Sequence, residues 1–567
     1  MSEKTVTGGE LVVSALQAAG VTDVFGLHGA HIDAVFQACM DAALPIWDMR
    51  SEAGAGHAAE GYARAANRLG VALVTAGGGL TNVITPLANA MLDRTPLLVL
   101  AGSGAIAADE TNTLQAGLNQ VAIVEPITKW AKRVLATEHI PRLIAQAIRV
   151  ATTAPRGPVV LDIPWDVLTR SVNKADVLES VIPDVLAGAP SLQAIDTILD
   201  RLAKAKRPVL IVGSEASRGK AAESIAKFAR LASIPVFADF EGLAATFDVP
   251  EELHGGLIQG LSAFSKSDIK PDVVVLAGVR FGLHTAHGDP ILLPTDADII
   301  HIDPAAAELG RLRPVWLGLC VDVATTLSAL AERVSLRSFA ANAEWPTLVR
   351  QAISRRRNVV AKAVTKATPR VQHPFTASEI LSRHIQRDSV VVLDGALTYL
   401  WFSELASFVR PRGFLCHGYL GSMGVGMGTA AGAQVAMLRT GLRTFLVTGD
   451  GAVGFGLAEF DTLVRHGLPV IVVVMNNHSW GATQHFQKFA VGASRITKTM
   501  LGDARYDRVA EAFGAKGFYV DDDRSFELAL TAALAHDGPC CIEVQVELDP
   551  LPPEELQLIG IDPFEAQ

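Results

Sequence analysis

The sequence is poor in charge, in aromatic rings and in cysteine. Only 19% of its residues are charged and 6% aromatic, against 49% hydrophobic, with a mean hydropathy of +0.30. That balance excludes a disordered or fibrous chain. A basic excess is also lacking: the formal net charge is −10 and the pI near 5.9. No cationic surface is there to neutralise a phosphate backbone, so nucleic acid is not an expected partner. The longest apolar stretches, such as residues 468–475, are strand-length and far short of the roughly 18–20 residues of a membrane helix. Residues 1–20 lack the basic start and apolar run of a secretory signal. The five cysteines, Cys39, Cys320, Cys416, Cys540 and Cys541, show no C-x-x-C spacing and read as buried thiols of a reducing compartment. A globular, cytoplasmic protein is left.

What is present is a recurring alternation. At 567 residues the chain is too long for one core. Short apolar runs ending in Gly, Asp or Asn give way repeatedly to helical patterns, the mark of parallel α/β units. Strands are expected at 71–74, 96–101 and 158–163, then at 208–212, 235–238, 273–277 and 299–302, and finally at 390–393, 444–447, 469–475 and 541–546. Periodicity lapses at 171–191 and through the basic stretch 355–374, which read as linkers. The expectation is three doubly wound α/β domains with mainly parallel sheets, at 1–180, 190–340 and 370–567. The first and last share one coarse layout, as paired, related domains would.

The run Thr444-Phe445-Leu446-Val447-Thr448 is followed by Gly449-Asp450-Gly451, a helix at 457–465, and a second strand that delivers Asn476-Asn477. In such a βαβ unit both strand ends lie side by side, and Asp450 and Asn477 reach one crevice where open α/β sheets bind ligands. Two hard oxygen ligands, with a carbonyl from Ser479, suit Mg²⁺ or Ca²⁺. The helix after Gly451 turns its positive end toward phosphate. A diphosphate ligand follows.

These residues resemble the G-D-G and N-N diphosphate motif of thiamine diphosphate-dependent enzymes. The resemblance implies thiamine diphosphate and Mg²⁺ as cofactors. It places Glu52, at the start of a small-residue helix over 52–68 after a strand at 44–49, as the carboxylate that activates the aminopyrimidine. Thr75-Ala76-Gly77-Gly78-Gly79-Leu80-Thr81-Asn82 resembles the turn beside that ring, with Gly78 where the family has proline. It further implies cofactor contacts from Glu52, Thr75, Asn82, Ala396, Gly421, Ser422, Met423, Gly449, Asp450, Gly451, Ala452, Asn477, Ser479 and Gly481. Asp450, Asn477 and Ser479 are the metal set.

Longer strings look like the benzaldehyde lyase branch of that family: residues 26–33, 109–117, 416–424, 476–483 and the tail 552–556. This implies cleavage of aromatic 2-hydroxy ketones, (R)-benzoin to two benzaldehydes, and the reverse carboligation. It also implies a homo-oligomer, usually a tetramer, with active sites at the dimer interface. His31 is expected to relay a proton and Gln115 to orient the reacting oxygen, roles that could be exchanged. Met423 is expected to wedge the bent cofactor. The implied pocket is His28, Ala30, Leu114, Trp165, Tyr399, Leu400, His417, Ala482 and Phe486, an aromatic and nearly uncharged lining suited to aromatic aldehydes. Trp165 stands equally between pocket and core. A benzoylformate-type 2-keto acid decarboxylase is the nearest rival, although no cation is placed to receive a carboxylate. A flavin-binding acetolactate synthase relative is the second, resting on the glycine turn at 213–219 and Asp303. A non-catalytic scaffold is the third, against which Glu52, Asp450 and Asn477 are all retained.

Overall fold

The central strands of each sheet are apolar runs such as Gly70–Val74, Pro208–Val212 and Val390–Asp394, fully buried because helices cover both faces, while edge strands such as Trp130–Arg133, Leu317–Cys320 and Lys516–Val520 are only partly buried. The computed structural model describes residues 5–108, 111, 113–178, 188–218, 221–265, 267–339, 344–364, 371–386, 389–403, 405 and 413–558. Asp109, Glu110 and Asn112 of the 109–117 string, and residues 179–187 and 365–370 of the expected linkers, lie outside them.

Three six-stranded sheets follow one another, and every pairing within them is parallel. The first runs Ile46–Asp48, Val24–Gly26, Gly70–Val74, Leu97–Ser103, Pro158–Pro164, Trp130–Arg133 across its width. The third runs Gly413–Leu415, Val390–Asp394, Thr444–Gly449, Ile471–Asn476, Cys540–Gln545, Lys516–Val520. Counted from each sheet's own first strand, both have the order 2-1-3-4-6-5. Their crevices therefore open at the same topological switch point, between first and third strands. The middle sheet is 3-2-1-4-5-6.

The first and third units meet through the Glu52–Ala66 and Gly426–Met437 helices. Both are rich in glycine and alanine, and contact is backbone to backbone. A methyl on Gly61 would overlap the Thr429 backbone, and one on Gly432 would overlap Ala58. The middle unit is tied to the first by buried ion pairs at its strand ends. Arg94 donates to both oxygens of Asp303 at 3.1 and 3.0 Å, and Arg156 to Glu215 at 2.6 Å.

Several expectations are corrected. Residues 171–173 are not linker but a strand, Ser171–Asn173, paired antiparallel with Thr5–Thr7. The basic stretch from Arg355 continues the Glu344–Ala363 helix; Trp345, Val349, Ala352 and Ile353 are buried at helical spacing beneath its charged face. Pro374 opens the next helix, Pro374–His384. Four cysteines are buried, but Cys320 is exposed. Among the described residues no helix is long and apolar enough to cross a membrane.

Candidate active site

One wall of the third sheet's crevice is built from the ends of its third and fourth strands, and Gly395 and Ala396, past its first strand, form the other. Gly449 pairs with Met475; Asp450 is the first residue past its strand and Asn477 the first past the neighbouring one, a single position out of level. The Ser479 amide donates to Asp450 Oδ2 at 3.0 Å and to Asn477 Oδ1 at 3.1 Å, drawing both oxygens to one point. The turn that allows this has His478 in the left-handed region, φ +57°. Asn476 serves the frame: its Oδ1 accepts from the His478 amide and its Nδ2 donates to Glu543. Burial pushes the Asp450 carboxyl up to about 6 against the hydrogen bonds it accepts, and a divalent cation there would favour the ionised form. The helix expected at 457–465 is present as Glu459–Arg465, and a single helical turn that the sequence did not announce, Asp450–Val453, precedes it and begins at Asp450 itself.

Around this point lies a cleft of about 660 Å³ lined by Gly395, Ala396, Met423, Gly449, Gly451, Ser479, Gly481 and Ala482 together with Asp450 and Asn477. It is also lined by Thr398 and Trp480, which sequence reasoning missed. Trp480 closes over Gly451, where a Cβ would stand 2.5 Å from its ring. Asp394, also missed, is buried and accepts from the amides of Gly424 at 3.1 Å and Gly426 at 2.7 Å. It pins the loop that carries Gly421, Ser422 and the 42% exposed Met423. The signal for Asp394 is in the sequence: like Asp450, it ends a buried run and adjoins a glycine.

The crevice of the first sheet carries the other residues that the sequence predicts for the site. Ser51 caps the Glu52–Ala66 helix by accepting from the Gly54 amide at 2.9 Å, which leaves Glu52 as its first residue. Asn82 Nδ2 donates to Glu52 Oε2 at 2.9 Å. Thr75 is buried against Gly29, where a Cβ would find no room. A Cβ at Gly78 would meet nothing within 4 Å, so the missing proline costs conformational restriction and no contact. His31 lies in the turn before the Asp33–Asp41 helix, and its Nδ1 is 3.1 Å from Gln115 Oε1. Gln115 is held at φ +61°, a strained backbone of the kind found at functional sites. His28 bonds Asp33 at 2.6 Å and stands edge-on to Phe36, which turns it from the pair.

The expected pocket residues divide between two open surfaces. Ala30, Leu114 and the 47% exposed Trp165 stand on the first unit; Ala482 and the 73% exposed Phe486 stand on the third. Trp165 is thus not core. Tyr399 is buried behind the cleft, its ring 4.1 Å from Phe240 and 5.6 Å from His417. Leu400 packs on the same core, so neither is among the residues lining the cleft. Glu52, His31 and Gln115 do not line it either: one chain presents the two halves apart.

Three domain models match in order: the N-terminal thiamine pyrophosphate binding domain at 6–123, the central domain at 195–330 and the C-terminal thiamine pyrophosphate binding domain at 394–544. The chain belongs to the thiamine pyrophosphate enzymes. Relatives span nearly its whole length. Acetolactate synthase isozyme 2 large subunit of Escherichia coli (strain K12) is 28% identical over 543 residues, 96% of both chains. 2-Hydroxyacyl-CoA lyase 1 of Mus musculus is 29% identical over 563 residues, 96% of this chain and 95% of its own.

The donors fit the family's cofactor. Converging Asp450 and Asn477 oxygens are a hard set of the kind Mg²⁺ takes, and the glycine-lined cleft leaves backbone free to approach a diphosphate. Bound there, the cofactor supplies the electron sink at the reacting carbon.

Proposed function

We propose that the chain is a thiamine diphosphate- and Mg²⁺-dependent carbon–carbon lyase of benzaldehyde lyase type. It cleaves (R)-benzoin and related aromatic 2-hydroxy ketones to aldehydes and joins aldehydes in reverse, in the cytoplasm. The observation that carries this is the His31–Gln115 pair, 3.1 Å apart, set among exposed apolar residues. Among the described residues no cationic side chain hydrogen-bonds either member of the pair, and a proton-transfer pair of that kind suits a neutral hydroxy ketone better than a keto acid.

The residue roles we assign are supported by the contacts each side chain makes. Gln115 Oε1 accepts, so His31 Nδ1 carries the hydrogen and Nε2 keeps the lone pair that receives the substrate hydroxyl proton. Glu52, oriented by Asn82, exchanges a proton with the aminopyrimidine. Asp450, Asn477 and the Ser479 carbonyl hold the metal. Leu114, Trp165 and Phe486, all exposed in one chain, exclude water once the two halves face each other in a dimer, and a dimer of dimers is the assembly we assign. The domains are taken as 1–180, 190–340 and 370–567.

A second reading is favoured by the relatives named acetolactate synthase: condensation of 2-keto acids. One assay separates them. With the cofactors added, (R)-benzoin, benzaldehyde, benzoylformate and pyruvate are offered in turn, and products are resolved by chiral chromatography. Cleavage and formation of (R)-benzoin alone supports the lyase; faster CO₂ release from either keto acid overturns it.

A further inference from the structure

Glu459 belongs to the third unit, yet its carboxylate ends at the start of the helix that carries Glu52. It is 2% exposed. Its Oε2 accepts from the Arg50 amide at 3.1 Å and from the Thr462 hydroxyl at 2.6 Å, and its Oε1 accepts from the Ser51 hydroxyl at 3.2 Å. Ser51 in turn accepts from the Gly54 amide at 2.9 Å. One buried carboxylate therefore fixes, directly or through Ser51, the two residues before Glu52 and the second after it. An anion at a helix N-terminus gains from the unsatisfied amides there.

The fit is tight. A methyl at Gly54 would overlap Glu459 Oε1, so the glycine makes room for the carboxylate. The rest of the Glu459–Arg465 helix grips the same segment: Arg465 bonds Asp48 Oδ2 at 2.7 Å and the Asp48 carbonyl at 3.0 Å, and His466 Nε2 lies 3.1 Å from that carbonyl. These contacts hold the stretch between the Ile46–Asp48 strand and the Glu52 helix from outside its own unit.

We infer that Glu459 is a positioning residue for Glu52: it sets the register and tilt of the first helical turn, and with it where the Glu52 carboxylate stands. This rests on the reading of Glu52 as the carboxylate that meets the cofactor ring. Because Glu459 follows the Asp450 loop within the same segment, the element that builds the metal half of one centre also aims the carboxylate half of another. A displacement near 1 Å at a proton-transfer group costs on the order of a hundredfold.

The test compares the wild type with Glu459→Ala, Glu459→Gln, Gly54→Ala and Glu52→Gln. Three quantities are read: cofactor affinity with Mg²⁺ by tryptophan fluorescence, exchange of the thiazolium C2 proton by acid-quenched NMR, and amide hydrogen exchange of residues 50–55 in the cofactor-free protein. Glu459→Ala is expected to slow C2 exchange about 10- to 100-fold at near-normal cofactor affinity and to deprotect the Arg50 and Gly54 amides. Glu459→Gln, which keeps one acceptor oxygen, falls between. Gly54→Ala reproduces the loss although alanine is the better helix former. Wild-type C2 exchange in Glu459→Ala, or slowing only in proportion to lost affinity, overturns the inference. Should that variant not fold, Glu459→Gln and Gly54→Ala decide by the same readings. Normal exchange in Glu52→Gln would instead remove the Glu52 assignment beneath it.

Discussion

Ser479 gives one amide hydrogen to two side chains, Asp450 at 3.0 Å and Asn477 at 3.1 Å. Two oxygens from adjacent strand ends are thereby held at a spacing that neither side chain fixes alone.

Removing either oxygen should therefore weaken metal-dependent binding rather than chemistry. Asp450→Ala and Asn477→Ala are expected to weaken Mg²⁺-dependent cofactor binding by more than the roughly 10- to 100-fold that loss of an outer partner costs. Titration with Mg²⁺ at fixed thiamine diphosphate checks this. An unchanged affinity in Asp450→Ala would refute the metal site.

The His31–Gln115 contact predicts coupling. Each alanine substitution should lower kcat about 10²-fold, and the double variant should fall little further, since either change alone breaks the pair. Multiplicative losses would show that the two act independently.

His284 predicts a pH dependence of stability. It is packed against Phe240 and Tyr419, and burial pushes its pKa down from 6.5 to about 4. The folded state thus keeps it neutral where the unfolded chain is protonated. Its contribution is complete above pH 6.5 and is lost as the pH falls toward 4, by about 3 kcal/mol in all. Denaturant unfolding at stepped pH should show a shallower slope over that window in His284→Phe. Equal slopes would count against the neutral histidine.

Glycines with and without room should respond oppositely. Gly61→Ala drives a methyl into the Thr429 backbone and should cost about 1–3 kcal/mol. Gly78→Ala enters open space at the start of the Gly78–Asn82 helix and should be neutral or gain about 0.5–1 kcal/mol. Unfolding midpoints of the cofactor-free proteins decide; equal effects would contradict the crossing geometry.

What the sequence made legible was what chemistry or backbone geometry confines to a few positions. Gly449-Asp450-Gly451 and Asn476-Asn477 are local strings at strand ends, and fully apolar runs such as Val390–Asp394 announce buried parallel strands. Short or mixed strands escaped: Trp130–Arg133 reads W-A-K-R and shows neither alternation nor an apolar run. The 355–374 stretch was misread because dense arginines hid the burial of Trp345, Val349 and Ile353 on the opposite helix face. Glu459 was invisible for another reason. Its partners Arg50 and Ser51 lie 409 and 408 positions away, and a lone glutamate in an amphipathic helix carries no mark of what it touches.

The crossing of the Glu52–Ala66 and Gly426–Met437 helices also constrains how the protein is made. Its two surfaces are separated by about 360 residues of chain, so the first helix emerges from the ribosome with its glycine and alanine face bare. At roughly 5–20 residues per second it waits on the order of half a minute for its counterpart. During that interval the nascent first domain holds a sticky backbone-lined groove that only a distant, unsynthesised helix is shaped to fill. Co-translational chaperone demand should be concentrated there.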